Sequence, residues 1–169
     1  MKKVILPLLM LTAAAAQAQI PLAPAPITSA PLLPPEKTMP LDQAVEAARA
    51  VIAECEARKS PAIVQVMDLN LNPKVLMVGE GARAGSFEPA RRKAYTVIKK
   101  GMSSSAFAKS VGSPPVNTVV ENDPNLRPSG GGLAIMKGGE IIGAIGVSSP
   151  LGGEIDEICA QAGIAKFRF

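Results

Sequence analysis

The chain has 169 residues, 47% of them hydrophobic, 19% charged and 3% aromatic, with a formal charge of +4 and neither His nor Trp. The lack of histidine excludes imidazole-based catalytic triads, facial sites with two His and a carboxylate, and His-ligated zinc or haem. So few aromatic rings and so modest a charge offer single-stranded nucleic acid no platform, and the length suits one domain with a real core.

Residues 1–18 read as a signal peptide. Lys2 and Lys3 precede an apolar stretch from Val4 to Ala16, and Ala16-Gln17-Ala18 fits the small-x-small rule for cleavage. The stretch falls short of the ~20 apolar residues of a membrane span, so the expected localisation is periplasmic or secreted. Cleavage after Ala18 removes two of the 18 basic residues, against 14 acidic ones, which leaves the mature chain nearly neutral. Residues 19–39 carry Pro21, Pro24, Pro26, Pro31, Pro34 and Pro35, a density that forbids helix and sheet ladders and reads as a linker.

Beyond the linker, Leu41, Ala44, Val45, Ala48, Val51, Ile52 and Cys55 recur at helical spacing, which predicts an amphipathic helix from Pro40 to Lys59. Ala62–Met67 and Lys74–Val78 read as a hairpin with a polar tip at Asp68–Pro73. A middle helix, capped by Ser86 or Glu88, runs to a stop at Gly101, and a helical turn is expected around Ser104–Lys109. Gly112–Gly132 is a long proline-containing loop. Leu133–Lys137 and Glu140–Val147 form a second hairpin around Gly138-Gly139, where glycine accepts the positive φ of a primed turn. A last helix begins near Glu154, Asp156 and Glu157, with Ile155, Ile158, Cys159 and Ala162 as its inward stripe. Short turns between paired strands favour an α+β fold with an antiparallel sheet over a doubly wound parallel one.

Several segments together carry a family likeness: Leu41-Asp42-Gln43-Ala44, Val64-Gln65-Val66-Met67-Asp68, Lys93-Ala94-Tyr95-Thr96, Gly131-Gly132-Leu133-Ala134-Ile135, Gly143-Ala144-Ile145-Gly146-Val147-Ser148, and Asp156-Glu157 with Ala160 and Ala162-Gly163. In order and spacing, residues 40–169 resemble the GlcG/HbpS family. The resemblance implies a profilin-like antiparallel sheet with the N- and C-terminal helices on one face and a middle helix. It also implies a homo-oligomer. The family includes secreted haem-binding proteins, domains attached to corrinoid enzymes and members of glycolate-utilisation operons. Where a strand-end Arg-Met-Asp type segment is usual after the second strand, this chain has Gly79-Glu80-Gly81-Ala82-Arg83.

On that likeness the expected ligand is haem, or another small planar tetrapyrrole, held without histidine. The candidate ligand-binding residues are Arg92, Lys93, Tyr95, Thr96, Met102, Gly131 and Gly132. Arg92 and Lys93 offer cations to propionates, although a basic helical face is also commonly just solvated. Tyr95 offers a phenolate or is packing, Met102 offers a thioether at a helix end, and Gly131-Gly132 allows close approach of a ligand or a strand. Asp68 and Asp156 suit a hairpin corner and a helix start better than an acid/base pair. The alternatives to a binding protein are an accessory or sensor protein, or an enzyme of small organic acid (glycolate-type) metabolism.

Cys55 and Cys159 are the only two cysteines. Export would favour a disulfide between them, and two small buried hydrophobes that never meet is the other reading. A profilin-like sandwich makes the first and last helices neighbours, so the resemblance implies that the two are joined.

Overall fold

The computed structural model describes residues 38–112 and 122–169. Residues 1–18, expected as a signal peptide, nearly all of the expected linker and residues 113–121 lie outside the described residues. The described elements follow the order α1 (Leu41–Ala57), β1 (Ile63–Asp68), β2 (Pro73–Val78), a short 3-10 turn (Ala84–Ser86), α2 (Phe87–Lys100), α3 (Ser104–Val111), β3 (Gly132–Lys137), β4 (Glu140–Ser148) and α4 (Gly153–Ile164). The strands make one antiparallel sheet in the order β2-β1-β4-β3. This is the α+β architecture that the short turns imply.

Register decides which side chain meets which layer. Val64 pairs with Val147 and Val66 with Ile145, so these four residues share one face of the sheet. They join Ala44, Ala47, Ala48, Val51 and Cys55 of α1 and Cys159 and Ala160 of α4 in the larger core. Each fully buried Val or Ile there contributes roughly 1.5–3 kcal/mol relative to leaving it exposed. On the opposite face Met67 and Ala144 pack against Ala94 and Val97 of α2. β1, a central strand covered on both faces, is therefore buried along its whole length. Met39, counted with the linker on sequence, is only 3% exposed and packs in the larger core.

The hairpins close by local chemistry. Asp68 Oδ1 accepts from the backbone N–H groups of Asn70 and Asn72, both at 2.9 Å, and its Oδ2 accepts from Asn72 Nδ2 at 3.1 Å. Asp68 is thus a turn-former. Gly138 and Gly139 take φ of 59° and 84°, as a primed turn requires. Gly146 serves packing rather than turning. A Cβ there would collide with the backbone of Ala90 and Ala94, so its bareness lets α2 lie close on β4.

Details of three helices differ from the sequence reading. Leu41 at the start of α1 is 54% exposed and does not join the buried stripe of Ala44, Ala47, Ala48, Val51 and Cys55. Ser86 precedes α2 without capping it by a side-chain bond; the helix instead carries Glu88 in its first turn and Lys99 and Lys100 in its last, matching its dipole. The inward stripe of α4 consists of Asp156, Cys159, Ala160 and Gly163, while Ile155, Ile158 and Ala162 are half-buried. A carboxylate has displaced the apolar residues from the centre of the stripe. The half-cystines of α1 and α4 are bonded, Cys55 to Cys159, with Cα atoms 5.5 Å apart. Among the described residues no helix is long and apolar enough to cross a membrane.

Candidate functional site

α2 divides the candidate residues by helical position. Lys93 shares the inward stripe with Ala90, Ala94 and Val97, and only 3% of it is exposed. Its Nζ donates to Asp156 Oδ2 at 2.6 Å and to the Val147 carbonyl at 2.8 Å. Asp156 Oδ1 accepts from Ser149 Oγ at 2.6 Å, and Ser60 Oγ donates to Ser149 Oγ at 2.8 Å. Burial pushes the Lys93 ammonium below its ordinary pKa and the Asp156 carboxyl above its own, while each partner's charge opposes the shift. The pair joins α2 on one face of the sheet to α4 on the other. Asp156 is the residue that sequence reasoning missed as a partner of Lys93.

The consecutive glycines close over this pair. A Cβ on Gly131, at φ 109°, would stand 2.6 Å from Asp156 Cβ and 3.0 Å from Lys93 Nζ. One on Gly132 would meet the Lys93 carbonyl and Ser104 Oγ, each at 2.7 Å. Ser104 Oγ accepts from the Gly132 N–H at 2.8 Å and donates to the Ser129 carbonyl at 2.6 Å. The close approach that glycine permits here is therefore met by protein.

Arg91, Arg92, Tyr95 and Thr96 face the segment from Asp123 to Arg127, and Thr96 is fully buried there. Tyr95 Oη donates to Asp123 Oδ2 at 3.0 Å, Arg91 Nη2 to Asn125 Oδ1 at 2.8 Å and Arg92 Nη2 to the Leu126 carbonyl at 2.6 Å. Thr96 Oγ1 donates to the Arg92 carbonyl and accepts from the Arg127 N–H, both at 2.7 Å. Arg92 Nε is buried and has no hydrogen-bond partner among the described residues. Burial, then the neighbouring guanidinium groups of Arg127 and Arg91, hold Arg92 below its ordinary pKa; Glu88 and Asp123 counteract them. Arg91 is itself paired with Glu88, its Nη2 2.9 Å from Oε2, so the unsatisfied donor of Arg92 belongs to a set of three guanidinium groups of which one already has a carboxylate.

The structure thus brings Arg92, Lys93, Thr96, Gly131 and Gly132 to one region, with Lys93 and the glycines sealed below α2 and Arg92 and Thr96 above. Tyr95 lies beside them, but burial and its bond to Asp123 raise the phenol's pKa, which disfavours a phenolate ligand. Met102 stands apart, past the end of α2, with 39% of its surface exposed. A groove of about 520 Å³ lined by Ser105, Lys109, Gly130, Gly153, Glu157 and Gln161 contains none of the candidate residues. Among the described residues no cluster of Cys, Asp and Glu could hold a metal ion.

A four-stranded antiparallel sheet with α1 and α4 on one face and α2 on the other, bearing a cationic α2 surface, defines a small α+β domain of recognisable class. The family model described as haem degrading protein HbpS-like matches residues 39–165, and the chain belongs to that family. The crystal structure of HbpS is 30% identical with a TM-score of 0.71, over 78% of this chain and 91% of that one. A double mutant of HbpS from Streptomyces reticuli is 27% identical with a TM-score of 0.72, over 90% of this chain and all of that one, 100%. PduOC, crystallised as a heme complex, shares the fold at 22% identity and a TM-score of 0.71, covering 78% and 96% of the two chains. No curated protein matches.

Proposed function

We propose that this chain is an exported haem-binding protein that takes haem, or a related tetrapyrrole, against α2 without imidazole. The observation that carries the reading is the buried Nε of Arg92 on α2, which has no hydrogen-bond partner among the described residues. A guanidinium fork matches a carboxylate with two parallel bonds, and a buried donor left unmade is costly, so a propionate at Arg92 satisfies both charge and hydrogen bonding. Propionates fit the residues present. Tyr95 is held as a phenol and Met102 stands apart past the end of α2, so neither candidate is assigned to the iron. When bound, haem supplies the redox-active iron; the chain's part is to orient the ring by its carboxylates.

Titration of the mature protein with hemin is expected to give a saturable Soret change below roughly tens of micromolar. Arg92→Met weakens binding about tenfold or more, by loss of a charge-assisted pair. The dimethyl ester of hemin, which keeps the ring and loses the charges, binds the unaltered protein correspondingly less. No saturation with hemin removes the haem reading. A response to glycolate that survives where hemin fails would point instead to the organic-acid alternative.

Export and self-association belong to the same proposal. Residues 1–18 have the pattern of a cleaved leader, and the Cys55–Cys159 bond suits an oxidising compartment. β2 is an edge strand whose Leu76 and Val78 are 47% and 58% exposed, a surface suited to a further copy of the chain. Native mass spectrometry of the protein recovered outside the cytoplasm should show Gln19 as the first residue and a multiple of the protomer mass. An intact leader or a lone protomer at micromolar concentration would contradict the corresponding half.

A further inference from the structure

The geometry points to a latch: the segment Asp123–Ser129 occupies the anion-binding side of α2 and is displaced when a carboxylate-bearing ligand binds Arg92. This inference rests on the reading of that surface as a carboxylate site. Arg91, Arg92, Tyr95 and Thr96 all spend hydrogen bonds on this one segment, and Ser104 fastens its end at the Ser129 carbonyl. The acceptors it offers are those of a stand-in. Leu126 presents a single carbonyl oxygen to Arg92 Nη2 and leaves Nε, buried beside it, with nothing. Asn125 gives Arg91, whose charge Glu88 already meets, only a neutral amide oxygen at 2.8 Å. A carboxylate carries full charge and two oxygens, so it makes with Arg92 the second bond that the latch cannot.

The latch has reasons to rest closed. The Leu126 side chain is 2% exposed, so opening costs apolar burial, and Asp123 braces the turn by accepting from the Asn125 N–H at 3.0 Å. A ligand therefore competes with the protein's own backbone, and its apparent affinity is reduced by the fraction of molecules whose latch is shut. Competition of this kind selects against weak or singly held anions. It also ties occupancy of the site to exposure of the Asp123–Ser129 segment, which turns binding into a change of surface that a partner could sense.

Hydrogen exchange and hemin titration test the latch together. Addition of hemin is expected to speed exchange at the Arg127 amide, which the closed latch protects at Thr96 Oγ1, while hemin dimethyl ester leaves it slow. Asn125→Ala removes the latch's bond to Arg91 while leaving every cation in place, and is expected to tighten hemin binding about fivefold. Saturable binding with no gain in Asn125→Ala and no change in Arg127 exchange overturns the latch and leaves the haem reading standing. Failure of both proteins to bind hemin overturns the two together.

Discussion

Replacing Asp156 with alanine lowers the stability of the domain by about 3–5 kcal/mol, a large share of the roughly 5–15 kcal/mol that holds a typical domain folded. The reason is what remains. Lys93 is 3% exposed and would keep only the Val147 carbonyl, so its ammonium must either stay charged without compensation or lose its proton. Ser149 loses its acceptor at the same time. Urea unfolding followed by circular dichroism reads the effect as a lower midpoint at unchanged slope. Replacing both partners, Lys93→Met with Asp156→Leu, recovers most of the loss, because no charge is then stranded. A loss below about 1 kcal/mol in Asp156→Ala, the ordinary scale of a point mutation, would show that water or movement relieves Lys93 and that the pair is no clamp.

That pair also marks how far the sequence could be read. Helices with apolar stripes, both hairpins and the Gly138-Gly139 turn follow from local chemistry, so the α+β fold is legible from residues that are near each other along the chain. The role of Asp156 is not, because an acid in the first turn of a helix is already accounted for by the dipole. A signal was present all the same. Asp156, Cys159, Ala160 and Gly163 have the spacing of one buried stripe, as do Ala90, Lys93, Ala94 and Val97 of α2. One acid and one base, each the single charged residue on an inward stripe, are candidates for burial as a pair, but the spacing within each helix does not say that the two stripes meet. The Asp123–Ser129 segment carries no such signal. Its contacts with α2, two through side chains and two through backbone atoms, span 28 to 34 residues of sequence, which no local pattern encodes. The family likeness points to the right stretch of α2, but does not separate residues that face a ligand from residues that hold the loop above them.

The second large effect lies in the disulfide. Cys55 and Cys159 are both fully buried and close a loop of 104 residues, so the bond ties α1 to α4 across almost the whole folded domain. A crosslink of that span removes conformations chiefly from the unfolded chain, and the chain-entropy account puts its worth at about 4–5 kcal/mol, with native strain reducing it. Cys55→Ala with Cys159→Ala is therefore expected to cost about 4 kcal/mol, or roughly 2 M in urea midpoint at the slope usual for small domains. Alanine is the better replacement than serine, since both positions lie fully buried in the apolar core that includes Ala44, Ala48, Val51 and Ala160, and a hydroxyl there would need a partner. The bond belongs to the α1/α4 layer and the guanidinium groups to the α2 side of the sheet, so hemin affinity measured well below the unfolding midpoint should not change. The double variant holding within about 1 kcal/mol of the parent would mean that the unfolded chain is already compact enough to bring α1 and α4 together. Loss of hemin binding in a still-folded double variant would instead mean that the spacing of the two helices is transmitted through the sheet to Arg92.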